Sequence, residues 1–271
     1  MSQYKMLVLD LDGTLTNSEK KITPKTKAAL MKAQENGVIV VLASGRPTYG
    51  VRPVAEELEL SRYGGYMLPF NGGQIISCKD NSTLFQQILP KEEIPLLYNL
   101  ARRQGVEIMS YTEDGTCVLT ENPADEWVLI EAKINSMEVK RSENFVKELS
   151  YPVTKCLIVG EPSKIAVAEE VALGEFGDRI GLFQSQPFFL ECVPQGIDKA
   201  LSLDRLTQML GMSKDQVVAC GDGHNDISMI EWSGLGVAMS NAQPKVLDKA
   251  DFVTLSNDED GIAHVIEKFF V

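Results

Sequence analysis

No stretch of the 271 residues approaches the roughly 20 consecutive apolar positions that a membrane-spanning helix requires,. The opening segment MSQYKMLVLDLDG meets an aspartate too early to read as a signal peptide,. Cysteine is sparse: Cys78, Cys117, Cys156, Cys192 and Cys220 are scattered, odd in number and form no CxxC pair. They argue against a disulfide frame or a zinc site and read as buried thiols of a reducing compartment, so a cytoplasmic location is expected. Positive charge is also short, with 26 Lys and Arg against 38 Asp and Glu and a net charge of −12. Such a surface repels nucleic acid and anionic membrane, and neither is expected as a partner. A phosphorylated ligand would need a local positive site built from metal, Lys or Arg. There is no internal repeat and no low-complexity tract. The first apolar run leads into DLDGTL and not GxGxxG, so no dinucleotide cradle is present,. The acidic NDEDG at 257–261 lacks the spacing of an EF-hand and reads as a helix start,.

What is present is an ordinary folded composition, 44% apolar and 24% charged, enough for one large domain or two modest ones,. KMLVLDLD is a short apolar run, hence a buried strand. ITPKTKAALMKAQENG follows with Thr23 as N-cap, Pro24 at the first helical position and Gly37 as a stop,. VIVVLASGR predicts a second strand, VRPVAEELELS a helix from beyond Pro53, and YMLPFNGG a third strand. The pattern returns late, with DKALSLDRLTQMLG, QVVACGDG, DISMIEWSG, GVAM, PKVLDKA, DFVTLS and DEDGIAHVIEKFF alternating helix and strand. This order implies an α/β fold with a doubly wound, parallel-sheet (Rossmann-like) core. The middle differs: VEIMSYT and TCVLT follow one another without a helix, as do the strands within RIGLFQSQPFFLECV. A partly antiparallel sheet with helices on one face is expected there. The predicted organisation is a core of residues 1–84 and 192–271 with an inserted α/β domain at 85–191.

Three core strands end in polar clusters: Asp10 and Asp12, Ser44-Gly45-Arg46, and the run from Gly221 to Asp226. Ligands of open α/β sheets bind at the carboxyl ends of strands, so these clusters can share one site, and Lys199 can reach it from near the start of the helix that precedes the Cys220 strand. Carboxylate oxygens are hard ligands suited to Mg²⁺. Asp10, Asp222 and the backbone carbonyl of Asp12 make a plausible ligand set, with Asp226 supporting from outside. Ser44, Lys199 and Asn225 supply donors around one anion. Phosphoryl transfer needs positioning and charge neutralisation above all. Asp10 is the candidate nucleophile and Asp12 the candidate general acid and base.

DLDGT, ASGR, the lysine of GIDKA and GDGHND resemble, in order, the four motifs of the haloacid dehalogenase-like superfamily of phosphohydrolases. NGG and FFLECVPQGIDK look like the Cof-type subfamily, whose members are often sugar-phosphate phosphatases with a large α/β cap. The resemblance spans essentially the whole chain. It implies Asp10 as nucleophile, Asp12 as acid and base, Ser44 and Lys199 as phosphate binders and Asp222 as metal ligand. Backbone N–H groups at Leu11 and Gly45 would add phosphate donors. Ala200 after Lys199 departs from the glycine that relatives often carry. The implied partner is a small phosphorylated metabolite and the implied cofactor Mg²⁺.

Other residues have plainer readings. Arg46 is either a surface ion-pair partner or a substrate contact, and Asn71 either turns the chain or touches the leaving group. His224 has no task that Asp12 leaves open, and His264, Trp127 and Trp232 read as packing residues. Tyr111, Glu113 and Asp114 lie on a polar turn of the inserted domain. A phosphomutase would use the same aspartyl-phosphate, and a non-catalytic phosphometabolite-binding regulator would bind without turnover. A dehalogenase has no use for Asp12.

Overall fold

The computed structural model describes residues 3–270. The chain divides into two compact units. The first comprises Met1–Gly45, Val51–Phe85 and Asp198–Val271, and the second Arg46–Gly50 and Gln86–Ile197.

In the first unit, strands β1 (Met6–Leu9), β2 (Ile39–Ala43), β3 (Tyr66–Leu68), β4 (Gln74–Ser77) and β5 (Thr83–Gln86) form five strands of an eight-stranded sheet. The second unit holds β6 (Glu107–Tyr111), β7 (Cys117–Thr120), β8 (Glu138–Arg141), β9 (Cys156–Val159), β10 (Ile180–Gln186) and β11 (Phe189–Pro194). The first sheet is completed by β12 (Val217–Gly221), β13 (Leu235–Ala238) and β14 (Phe252–Val253). Its order is β14-β13-β12-β1-β2-β3-β4-β5. All neighbours from β14 to β3 are parallel, and β4 turns back antiparallel on β3. The chain moves outward from β1 in one direction to β2 and β3, and later in the other to β12, β13 and β14. β1 is therefore the switch point, where an open sheet leaves a crevice at its strand ends.

Both faces of this sheet are covered, which is why β1, MLVL, is apolar throughout,. Leu7, Leu9, Val40, Leu42, Val218 and Cys220 pack with Leu30, Ala33, Ile262, Val265 and Ile266. Those residues come from the helices α1 (Pro24–Glu35) and, at the C-terminal end, Gly261–Phe269. Met6, Val8, Val41, Ala43, Val217 and Ala219 point to the other side, against Leu203, Leu206 and Met229. The Thr23 hydroxyl accepts the Thr26 N–H and Pro24 opens α1, as the sequence implies,.

The second unit carries a six-stranded sheet, β10-β11-β9-β6-β7-β8, antiparallel except between β7 and β8. The helices Glu93–Gln104 and Pro162–Phe176 bury Leu97, Leu100, Ile165 and Ala168 against Ile108, Ile158, Leu190 and Cys192 on one face. A partly antiparallel sheet is thus observed, as expected.

Four details differ from the sequence reading. The second unit extends to Ile197, because β11 pairs with β10 and β9 as far as Pro194 and a boundary at 191 would divide that strand. Arg46–Gly50 group with the second unit although the sequence places them in the core. The helix holding Pro53 begins before it, at Thr48, so the proline sits inside a helix. Strands β4, β5 and β8 are not apparent from apolar pattern. β8 reads EVKR and is largely exposed at a sheet edge, where charge deters unwanted strand pairing,.

Leu7 is fully buried in β1. Leu7→Ala is expected to cost about 2–5 kcal/mol, through lost apolar burial and the cavity left behind. A urea titration checks it, and a midpoint unchanged from wild type would contradict the central place given to β1.

Candidate active site

Parallel register sets Leu9 beside Cys220 on one side and Leu42 on the other. The residues just past three adjacent strand ends, Asp10, Asp222 and Ser44, therefore emerge together. The Asp10 N–H continues the ladder to the Cys220 carbonyl at 3.1 Å, so the backbone of the first acid is fixed by the sheet itself.

Lys199 opens the helix Lys199–Met209, whose N-cap Asp198 accepts the Leu201 N–H. Its side chain is completely buried, and Nζ donates to Asp10 Oδ1 at 2.7 Å, Asp226 Oδ1 at 2.6 Å and the Ala43 carbonyl at 2.8 Å. An ammonium has three N–H donors, and all three are used. Contact between Lys199 and a phosphate, as the motif implies, requires one of these bonds to be exchanged. The other oxygen of Asp226, Oδ2, accepts the backbone N–H groups of Asp222 (3.0 Å) and Gly223 (2.9 Å) and so shapes the turn after β12.

Asp222 Oδ1 accepts the Thr14 hydroxyl at 2.8 Å. Gly13 has φ +83°, and a Cβ there would lie 2.5 Å from Asp222 Oδ2. Both its conformation and its lack of a side chain let the DLDGT turn close over Asp222. Asp12 is half-buried and ion-paired with Lys20 Nζ at 2.7 Å. Leu11 is buried, and its carbonyl accepts both the backbone N–H and the hydroxyl of Thr16 at 2.9 Å.

Ser44 is buried at the end of β2, where its N–H meets the Leu68 carbonyl and its carbonyl accepts the Asn71 N–H. Asn71 sits at φ 54°, ψ 36°, and its Oδ1 accepts Asn225 Nδ2 at 2.9 Å. Gly45 lies beside it, where a Cβ would come 3.3 Å from Asn71 Oδ1. Asn225 thus spends a donor on Asn71. Arg46 groups with the second unit, and its Nη1 donates to the Gly50 carbonyl at 3.4 Å. His224 is exposed on a short 3₁₀ turn. His264 Nδ1 lies 3.0 Å from the Thr254 hydroxyl, and Trp127 stacks on Phe188, which are packing roles.

A family model described as haloacid dehalogenase-like hydrolase matches residues 7–266, nearly the whole chain. The chain belongs to that family. The hydrolase is similar to a haloacid dehalogenase-like hydrolase from Bacteroides thetaiotaomicron of known crystal structure. The two share 47% identity and a TM-score of 0.94, over 98% of this chain and 99% of that one. A solved Thermotoga maritima protein shares 27% identity and a TM-score of 0.87, over 98% and 97% of the two chains. Among named relatives, the Bacillus subtilis 5-amino-6-(5-phospho-D-ribitylamino)uracil phosphatase YcsE is 30% identical over 265 residues, 97% of this chain and 94% of its own.

The charges of the hydrolase's site do not balance. Asp10, Asp222 and Asp226 each offer a carboxylate oxygen within 4.8 Å of the others. One ammonium, Lys199, faces these three acids. Burial, then the neighbouring Asp226 charge, pushes the Asp10 carboxyl up to about 8 even though Lys199 pulls it down. Burial also pushes Asp222 up to about 6, against the hydrogen bond from Thr14. For Lys199 burial disfavours the charge, but Asp10 and Asp226 outweigh it and raise the ammonium above its ordinary value. Three hard oxygen donors with an excess of two negative charges fit a divalent cation such as Mg²⁺.

Of the residues expected from sequence, the acids, Ser44, Asn71, Asn225 and Lys199 lie at these strand ends and turns, while Thr14, Lys20, Asn241 and the Ala43 carbonyl, which also bond there, were not anticipated. Asn241 Nδ2 donates to the Gly13 carbonyl at 2.8 Å from a turn 228 residues away, a separation that no local signal spans. Thr14 alone was within reach, being the last letter of the quoted DLDGT.

The raised carboxyls give a signed prediction. A folded-state carboxyl above its unfolded value favours the protonated native form. Stability in chelator is therefore lost as pH rises from about 4 through 6 (Asp222) and 8 (Asp10),. Added Mg²⁺ competes with those protons, so its thermal shift is expected to be small near pH 5 and larger near pH 8. Thermal melts at both pH values check this, and a shift that shrinks with rising pH would contradict it.

Proposed function

We propose that this hydrolase is a Mg²⁺-dependent phosphatase that hydrolyses small phosphomonoesters, with sugar phosphates the favoured class, through an aspartyl-phosphate on Asp10. The observation that carries the reading is the buried Lys199 ammonium between Asp10 and Asp226, with Asp222 alongside and Asp12 two residues beyond the nucleophile. A relative whose name carries a phosphorylated ribityl chain supports the substrate class.

In this reading Lys199 fixes the Asp10 carboxylate, so that the oxygen not held by the ammonium attacks phosphorus opposite the ester oxygen. The bond from phosphorus to the ester oxygen breaks, and its electron pair leaves with that oxygen, which takes the proton carried by Asp12. Water then attacks the phosphorus of the aspartyl-phosphate and gives a proton to Asp12. The bond to Asp10 breaks, restoring the carboxylate and releasing phosphate. Asp10, Asp222 and the backbone carbonyl of Asp12 would hold the Mg²⁺, with Asp226 behind them. When bound, the ion neutralises the charge on the phosphoryl oxygens. The Ser44 hydroxyl and the N–H groups of Leu11 and Gly45 would donate to those oxygens, with Asn71 and Asn225 near the leaving group. The second unit, centred on residues 85–191, is read as the cap that selects the substrate, and Arg46 as its contact to that substrate.

A panel of metabolite phosphates assayed for phosphate release tests this. Release in Mg²⁺ should disappear in chelator. Asp10→Asn should lose at least about 1,000-fold, and Asp12→Asn about 100- to 10,000-fold with alkyl phosphates. Full turnover by Asp10→Asn, or in chelator, would refute the mechanism.

A further inference from the structure

We propose that Lys20 is a positioning residue for Asp12, a role that rests on the phosphatase reading above. The ammonium of Lys20 lies 2.7 Å from Asp12 Oδ1, and the two side chains are 61% and 38% exposed. An ion pair this exposed contributes little to folding. The backbone nevertheless places Lys20 in the left-handed region, at φ 61°, where a residue with a Cβ is disfavoured,. Glycine would occupy that conformation freely, so the backbone there does not itself call for a lysine.

The surrounding turn is built to keep it there. The Asn17 carbonyl accepts the Lys20 N–H at 2.8 Å, and the Asn17 side chain accepts the N–H groups of Glu19 and Lys21 at 3.0 Å. Asp258 holds the tip from the opposite end of the sequence: it accepts the Ser18 N–H at 2.8 Å and the Ser18 hydroxyl at 2.7 Å. Asn257 Nδ2 donates to the Thr16 carbonyl at 2.9 Å, and the Asn257 N–H is taken by Asn241, which also holds Gly13. The acidic run at 257–261 therefore does more than begin a helix. It braces a loop whose outward product is one ammonium beside the Asp12 carboxylate. Lys21, the next residue, pairs instead with Glu19 at 3.0 Å.

Asp12 must deliver its proton to an alkoxide leaving group, whereas p-nitrophenolate leaves without one. If Lys20 holds Asp12 in place, its loss separates the two substrate types. Lys20→Ala and Lys20→Gly are expected to lower kcat on an alkyl phosphate at least about tenfold more than on p-nitrophenyl phosphate, with KM within about twofold. Lys20→Arg should keep most of the alkyl activity, and Lys21→Ala should match wild type on both substrates. Lys20→Gly should melt no lower than wild type, because it relieves the left-handed residue. The proposal is overturned if Lys20→Ala and Lys20→Gly turn over both substrates like wild type, lower both equally, or change KM in place of kcat. A wild-type enzyme that releases no phosphate from any phosphomonoester refutes the phosphatase reading and this role with it. Wild-type turnover that is lost in Asp10→Asn, beside an unaffected Lys20→Ala, refutes this role alone.

Discussion

One buried ammonium organises the first unit's site. Lys199 brings a full charge into a place with no water-facing surface, which is tolerable only because three acceptors surround it,. Those acceptors come from the ends of β1 and β2 and from the turn after β12, so the charge cannot be satisfied unless the strand ends are in register. Removing any acceptor would leave a buried donor unpaired, and removing the lysine would leave Asp10, Asp222 and Asp226 facing one another. The same interaction orients the Asp10 carboxylate and constrains the fold around it.

Charge at the site falls off in layers. The innermost is over-supplied with carboxylate, and burial magnifies the imbalance, which is why Asp10 and Asp222 resist ionisation without a cation,. Asp226 has both oxygens committed to protein donors, so it acts as a frame for the Asp222 turn more than as a free ligand. Asp12 lies further out, paired with Lys20 on a braced loop. That gradient sets a buried Asp10 held by Lys199 apart from a half-exposed Asp12 held by Lys20, although only one residue lies between them in the chain.

Much of this was legible in the residues. β1, β2 and β12 announce themselves because a strand buried on both faces must be apolar along its whole length, and each then stops at a polar cluster. The antiparallel character of the middle sheet follows from strands with no helix between them. The edge strands were hidden because partial exposure removes the apolar pattern, as in EVKR of β8. The sequence predicts a helix from beyond Pro53, yet it begins at Thr48, because a single lost hydrogen bond can be carried by the rest of the helix,. β11 runs past the expected boundary at 191 because its neighbours' hydrogen bonds hold it, which no composition shift marks.

By itself the sequence determined which chemistry is possible: hard oxygen ligands, one candidate nucleophile, one candidate acid and base two residues on, and a net charge of −12. Its strand pattern also set the ends at which those groups appear. Only the tertiary structure decided that Lys199 bonds Asp10, Asp226 and the Ala43 carbonyl, that Thr14 holds Asp222, and that Asp258 braces the loop bearing Lys20. Those outcomes depend on parallel register and on contacts between residues up to 241 positions apart. Hydrogen bonds act over about 3 Å of space whatever the separation along the chain, so local pattern carries no trace of them.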